Sequence, residues 1–458
     1  MPRRSVTPLV SYPSRSVLSH AAAEQTDLGS ETGPYGTPVL RALLPVALGV
    51  LYIAAPNSEI TVLTLSLAAA LATAAGQADL LVYCYGLSVT LAAARLQGIP
   101  ESAIILTAIA VGALSRALIR KKFPSPDWLL LAIAYFVGAY ALLDPASTKA
   151  GNVEAYAIVI LPIALLVLRW ALTSMPAQAT TVMWFTAGCS ISIGMGLLQA
   201  YKLVGSNYAF YANDRVFLSA IGSSNYAAAL SCIPGLLILG LGLRALARLK
   251  QAILILIALP FLAAPLILIS RGAVVALACG MLAVIFSTDW RWTSAPVERF
   301  LTLAAILMIT ALTAATEHWY IWERFTAGGD SGQYLSGRLA LWHATIGYIQ
   351  WNPLTGLGPG HVTNQLMSSY GIAYPHEFYL GVLAQLGICG GVLFLWAIRP
   401  TPMTLWSPLV PGIVAIMVNS AVEPVMDVPT GAILFAGLAA VHWSHARQSG
   451  GSTLRGGG

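Results

Sequence analysis

Charge is scarce in this chain. Asp, Glu, Lys and Arg make up 9% of 458 residues, against about a quarter in an ordinary soluble domain. Hydrophobic residues reach 57% and mean hydropathy is +0.75, which excludes a soluble globular fold. Cysteine is equally sparse. The five (Cys84, Cys189, Cys232, Cys279, Cys389) all fall in apolar runs, and no pair has metal-ligand spacing, so they read as small core residues. No Asp-x-Asp pair occurs among the acids expected outside the membrane. A divalent ion wants two or more carboxylates at one site, so the pattern points to chemistry without a metal. No internal repeat is visible, which argues against a transporter built from inverted halves. Residues 1–38 carry no apolar stretch or cleavage site. They are expected to form a disordered cytoplasmic leader rather than a signal peptide.

What is present is a series of apolar runs near 39–55, 59–75, 79–97, 101–119, 126–143, 153–173, 179–204, 224–243, 251–269, 272–288, 299–317, 376–397, 405–421 and 429–445. A spanning helix needs about 17–25 residues. The fold class is therefore an all-α polytopic membrane protein, with about 12–14 transmembrane helices. The runs at 59–75, 272–288, 405–421 and 429–445 are short for that task. Basic residues set the orientation. With a cytoplasmic N-terminus, about 17 of the 24 Lys and Arg fall inside, including the Arg116-Arg120-Lys121-Lys122 cluster. Both termini are then cytoplasmic, and the net charge of +6 reports topology, with no nucleic-acid partner. The expected organisation is a leader (1–38), a helical bundle (39–317), an external loop with an amphipathic helix (318–375), C-terminal helices (376–446) and a flexible cytoplasmic tail (447–458).

Four external residues are candidates for chemistry. His376 follows Pro375, which suits the first position of a helix. There the dipole disfavours imidazolium, and a neutral imidazole can act as a general base. A histidine that merely caps the helix is an equal reading. Arg271, in Ser270-Arg271-Gly272 between two runs, is either a snorkelling arginine or a diphosphate ligand. Arg338 follows Ser336, a suitable N-cap. The helix it begins would end at Asn352-Pro353 and carry an apolar stripe of Leu339, Trp342, Ile346 and Ile349. Arg215 lies in a Tyr- and Asn-containing loop, 205–223, where a solvated neighbour of Asp214 is an equally good reading. The cluster Gly356-Leu357-Gly358-Pro359-Gly360 is a turn whose backbone could approach a phosphate or could simply be flexible. Gly387 and Gly391 have the spacing of a helix-packing face.

Taken in order, several motifs resemble the O-antigen ligase and O-antigen polymerase superfamily. They are Ser224-Asn225-Tyr226-Ala227, Ser270-Arg271-Gly272, Ser336-Gly337-Arg338 with Trp342, Asn352-Pro353 with Gly356–Gly360, and Pro375-His376-Glu377 with Leu380 and Leu386-Gly387. The resemblance covers roughly residues 200–395. Glu377 stands where the family usually has Asn. The resemblance implies a lipid-carrier-dependent glycosyltransferase of the bacterial inner membrane with its active site facing the periplasm. The donor would be an undecaprenyl-diphosphate-linked glycan and the acceptor a sugar hydroxyl of lipid A core, with no cofactor. His376 would be the base, and Arg215, Arg271 and Arg338 would bind the diphosphate. An O-antigen polymerase and a protein O-oligosaccharyltransferase share that chemistry. A flippase for lipid-linked sugars is the alternative of a different class.

Overall fold

The computed structural model describes residues 38–55, 58–93, 95–96, 99–123, 125, 127–143, 153–173, 175, 179–200, 224–245, 247–268, 270–287, 332–370, 375, 377–400, 407–423 and 425–455. Fifteen α-helices lie among them. The expected run at 299–317 falls outside the described residues. The chain divides into two compact units within the first helix, α1 (Pro38–Ala54), after Ala47. Everything below concerns the unit that begins at Leu48.

Among the described residues, six helices are long and apolar enough to cross a membrane. They are α4 (Glu101–Arg120), α6 (Val153–Thr173), α7 (Ala179–Ala200), α8 (Ser224–Arg244), α9 (Arg248–Ile267) and α13 (Phe378–Ile398). Shorter apolar helices accompany them, among them α1, α2 (Glu59–Ala75), α3 (Ala78–Leu87), α5 (Trp128–Leu143), α10 (Arg271–Ser287) and α14 (Val410–Ser420). The 429–445 run lies in the longer α15 (Pro429–Arg455). The chain is thus an all-α polytopic membrane protein. Helix α2 shows why these elements suit lipid. Val62, Leu65 and Ala69 are buried, while Ile60, Leu63, Leu67 and Leu71 are 55–70% exposed. A helix apolar on all sides is stable only where its outer face also avoids water.

One expected span is not continuous. The run 79–97 breaks into α3, a 3-10 turn (Val89–Ala93) and a two-residue antiparallel pair, Arg95–Leu96 with Ile99–Pro100. Ser88 ends α3 with its hydroxyl donating to Tyr85 O at 2.7 Å. The buried Thr90 N–H then needs a new acceptor, and Ser192 Oγ of α7 takes it at 3.1 Å. The Thr90 hydroxyl lies 2.9 Å from the same oxygen and also meets the Tyr52 hydroxyl. Buried polar groups must be paired, and this network makes the break tolerable.

The centre is α8, which packs on α7, α9, α10 and α14. Helix α15 lies along α6, and α13 touches α5, α6 and the 3-10 turn Val425–Asp427. Helix α11 (Gly332–Trp351) packs on α13, beside the short α12 (His361–Tyr370). Its buried face is Leu341 and Thr345, whereas Leu339 and Ile346 are exposed. Of the apolar stripe read from the sequence, Leu339 and Ile346 therefore turn outward, while Ile349 packs on the cluster around Leu341 and Trp342 is half-buried.

Candidate active site

Helix α13 begins at Phe378, with Glu377 as its N-cap. The helix start expected at Pro375 is thus three residues early. The cause is visible in the cap. Glu377 has extended backbone (φ −160°), and its carboxylate accepts the N–H groups of Tyr379, at 3.2 Å, and Leu380. A carboxylate at the positive end of a helix is favoured by the dipole and by the free donors. Burial nonetheless pushes the Glu377 carboxyl above the ordinary range, and the two backbone hydrogen bonds pull against that shift. Tyr379 ties this end to α14 by donating its hydroxyl to Met417 O at 3.0 Å. Pro375 is buried. His376 itself lies outside the described residues, as do Arg215 and the loop up to residue 331.

Ten residues in, α13 is interrupted. Gly387 sits at φ 70°, ψ 173°, a region that side-chain-bearing residues rarely enter. The turn after α11 fills the gap. Ile388 N–H, deprived of Ala384 O, donates to Pro353 O at 2.8 Å, while Ala384 O accepts Leu357 N–H at 2.8 Å. Gly358 N–H donates to Gln385 O at 2.9 Å, and Gly360 N–H to Gln385 Oε1 at 3.0 Å. The glycine cluster is therefore neither a phosphate cradle nor slack loop. It replaces the hydrogen bonds that the break removes, as buried backbone requires. Gly387 serves that junction rather than helix packing, because a Cβ there would lie 2.2 Å from Leu354 O. Gly387→Ala should destabilise the protein by more than the roughly 1–3 kcal/mol of backbone strain alone. Thermal unfolding in detergent checks this, and an unchanged melting temperature would refute the role given to the break.

Helices α9 and α10 are joined by a short link, as the Ser270-Arg271-Gly272 motif suggests. Ser270 caps α10 through its hydroxyl, 3.4 Å from Ala273 N, and Arg271 is the first helical residue. Arg338 is placed differently from its expected position. Helix α11 starts at Gly332, before Ser336, so Arg338 lies in the second turn. Its guanidinium forms a salt bridge with Glu423 and donates from Nη1 to Val422 O at 3.2 Å. Glu423 is buried at 4% exposure. A Cβ on Gly272 would stand 2.9 Å from Glu423 Cγ. Glu423 thus brings Arg338 to the first turn of α10, where Arg271 stands. Of the four sequence candidates, Arg271 and Arg338 are the two whose places are described, and Glu423 lies beside both of their helices.

The residues that hold Arg338 here were not singled out from the sequence. Glu423 was one external acid among several. Asn419, one turn earlier, accepts the Val422 and Glu423 N–H groups on its backbone oxygen at 2.9 and 2.6 Å. Its side chain is buried, and neither amide atom has a hydrogen-bond partner among the described residues. The same holds for Trp342 Nε1, one turn after Arg338. A lone amide inside the apolar run 405–421 is the signal that could have marked it. Among the described residues no three His, Cys, Asp or Glu side chains gather as a metal site.

Residues 254–395 match the family model described as O-antigen ligase. The match includes Arg271, Arg338 and position 376, and it supports the O-antigen ligase and polymerase superfamily, whose members are glycosyltransferase-like enzymes. No curated protein and no solved structure matches the chain.

Proposed function

We propose that this membrane protein, with the O-antigen ligase region it carries, moves a glycan from undecaprenyl diphosphate to a sugar hydroxyl of lipid A core. The observation that carries the reading is the Arg338–Glu423 pair beside the first turn of α10. It links Arg338 to the turn that Arg271 opens, and the proposal is that a lipid diphosphate lies against both guanidinium groups. In the reaction the acceptor hydroxyl attacks the anomeric carbon and gives its proton to His376. The anomeric carbon–oxygen bond breaks, and undecaprenyl diphosphate leaves with the electron pair. Arg271 and Arg338, with Arg215 as a third, stabilise the charge that gathers on the diphosphate. Guanidinium suits this role because its fork matches phosphate oxygens bidentately. One direct displacement inverts the anomeric centre. Transfer should persist in excess EDTA, since these arginines take the part a metal would play.

Reconstitution with purified lipid-linked glycan and a choice of acceptors tests this. Transfer to lipid A core supports the ligase. Transfer to a second lipid-linked repeat or to a protein would identify the polymerase or the protein O-oligosaccharyltransferase. Movement of donor across the bilayer with no new glycosidic bond would make the chain a flippase. Broken helices are a transporter feature, and α13 is broken. Its freed carbonyls at Ala384 and Gln385 are, however, occupied by the turn at 357–358, which favours the enzyme.

The site should face the periplasm, with both termini and the basic loops in the cytoplasm. Ser331→Cys is expected to react with a membrane-impermeant maleimide in intact cells whose outer membrane is permeabilised. Labelling only after lysis would overturn this placement.

A further inference from the structure

Away from the arginine pair, the end of α6 meets the start of α5, the end of α13 and the second half of α15. A cavity of about 230 Å³ opens there, lined by Ser125, Asp127, Arg169, Trp170, Trp443 and Arg447 among others. Arg169 is 6% exposed. Its Nη1 donates to Asp127 Oδ2 at 2.9 Å and its Nη2 to Arg399 O at 3.3 Å. Its Nε–H is buried and has no partner among the described residues. Trp443 lies near two cations, with the Arg169 and Arg447 guanidinium carbons 5.7 and 5.5 Å from its ring centroid. No carboxylate among the described residues pairs with Arg447. Two guanidinium groups against one carboxylate leave the cavity with one net positive charge.

A purely structural ion pair would be expected to use all of its buried donors, because an unsatisfied one is costly. Here Arg169 keeps a buried N–H without a partner among the described residues, and Arg169, a second arginine and Ser125 line a cavity large enough for a phosphate group. We propose that this cavity is a binding site for a phosphate-bearing group of net negative charge. The headgroup of an anionic phospholipid and a soluble phosphate share that chemistry. Basic pockets between membrane helices on the cytoplasmic side suit anionic headgroups, and the indoles of Trp170 and Trp443 belong at such an interface. The arginine bias puts these helix ends on the cytoplasmic side, so the site is independent of the transfer chemistry proposed above.

The test uses the full chain in detergent and follows melting temperature against added ligand. The ligands are phosphatidylglycerol, phosphatidylcholine and inorganic phosphate. Saturable stabilisation by phosphatidylglycerol and not by phosphatidylcholine is expected. Arg447→Gln should weaken that binding about ten-fold, the scale of one lost charge-assisted contact. Asp127→Asn should tighten it by removing the competing carboxylate. Arg447→Gln is at an exposed position and leaves the buried pair intact, so it reports on the site even if Asp127→Asn fails to fold. Stabilisation by inorganic phosphate that Arg447→Gln abolishes supports the site with a soluble source. Equal response to both lipids, or unchanged affinity in Arg447→Gln, overturns the proposal.

Discussion

Replacing His376 with alanine is expected to lower glycan transfer by about 100- to 10,000-fold, the usual worth of a general base, while donor binding survives. A sugar hydroxyl is a poor nucleophile until its proton leaves, whereas a lipid diphosphate is already a good leaving group. The base is therefore where a single side chain has the most to contribute. Pro375 is buried on one side of position 376, and on the other Glu377 is anchored by two backbone N–H groups at the start of α13. Wild-type transfer should decline as pH falls through the histidine's titration, because imidazolium cannot accept the proton. Single-turnover transfer and a separate donor-binding assay on the folded variant decide the matter. A His376→Ala protein that still transfers glycan would reduce the histidine to a structural role and direct attention to Asp330, Glu377 or Asp427.

Arg271→Ala and Arg338→Ala should each remove about 2–4 kcal/mol of transition-state stabilisation, or roughly 30- to 1,000-fold in rate, by analogy with lost oxyanion donors. The two are expected to differ in stability. Removing Arg338 strands the buried Glu423, and breaking a buried pair costs about 3–5 kcal/mol. The Arg338 side chain is 27% exposed, so solvent screening should keep the loss toward the lower end. Arg338→Lys separates the effects. It restores a cation for Glu423, so the melting temperature should recover, but it lacks the planar fork, so transfer should recover only in part. Full recovery of both would make Arg338 a strut for Glu423 and not a ligand of the diphosphate. Near-normal transfer in folded Arg271→Ala and Arg338→Ala variants would remove the diphosphate role altogether.

Local chemistry was legible where a residue's surroundings lie close in the chain. Ser270-Arg271-Gly272 as the link between two helices, and Trp351 ending the helix before Asn352-Pro353, follow from residues within a few positions of the backbone they govern. The errors also share a cause. Ser336 looked like an N-cap and Pro375 like a helix start because each is a suitable residue for the position. A helix continues as long as packing supports it, and a better-placed carboxylate two residues on outcompeted the proline.

By itself the sequence determined the membrane class and the approximate helix ends. Hydropathy and period are summed along a contiguous stretch, and lipid demands little else of a helix. Only the tertiary structure decided that Arg338 is held by a glutamate 85 positions away, or that Leu357 and Pro353 replace the broken ladder of α13 at Ala384 and Ile388. It also split the run at 79–97, because Ser192 of a distant helix supplies the acceptor that Thr90 needs. In each case a buried polar group was satisfied by a partner far off in the chain. Such a partner leaves no periodic trace, since hydrogen bonds and ion pairs are set by distance in space and not by spacing along the backbone.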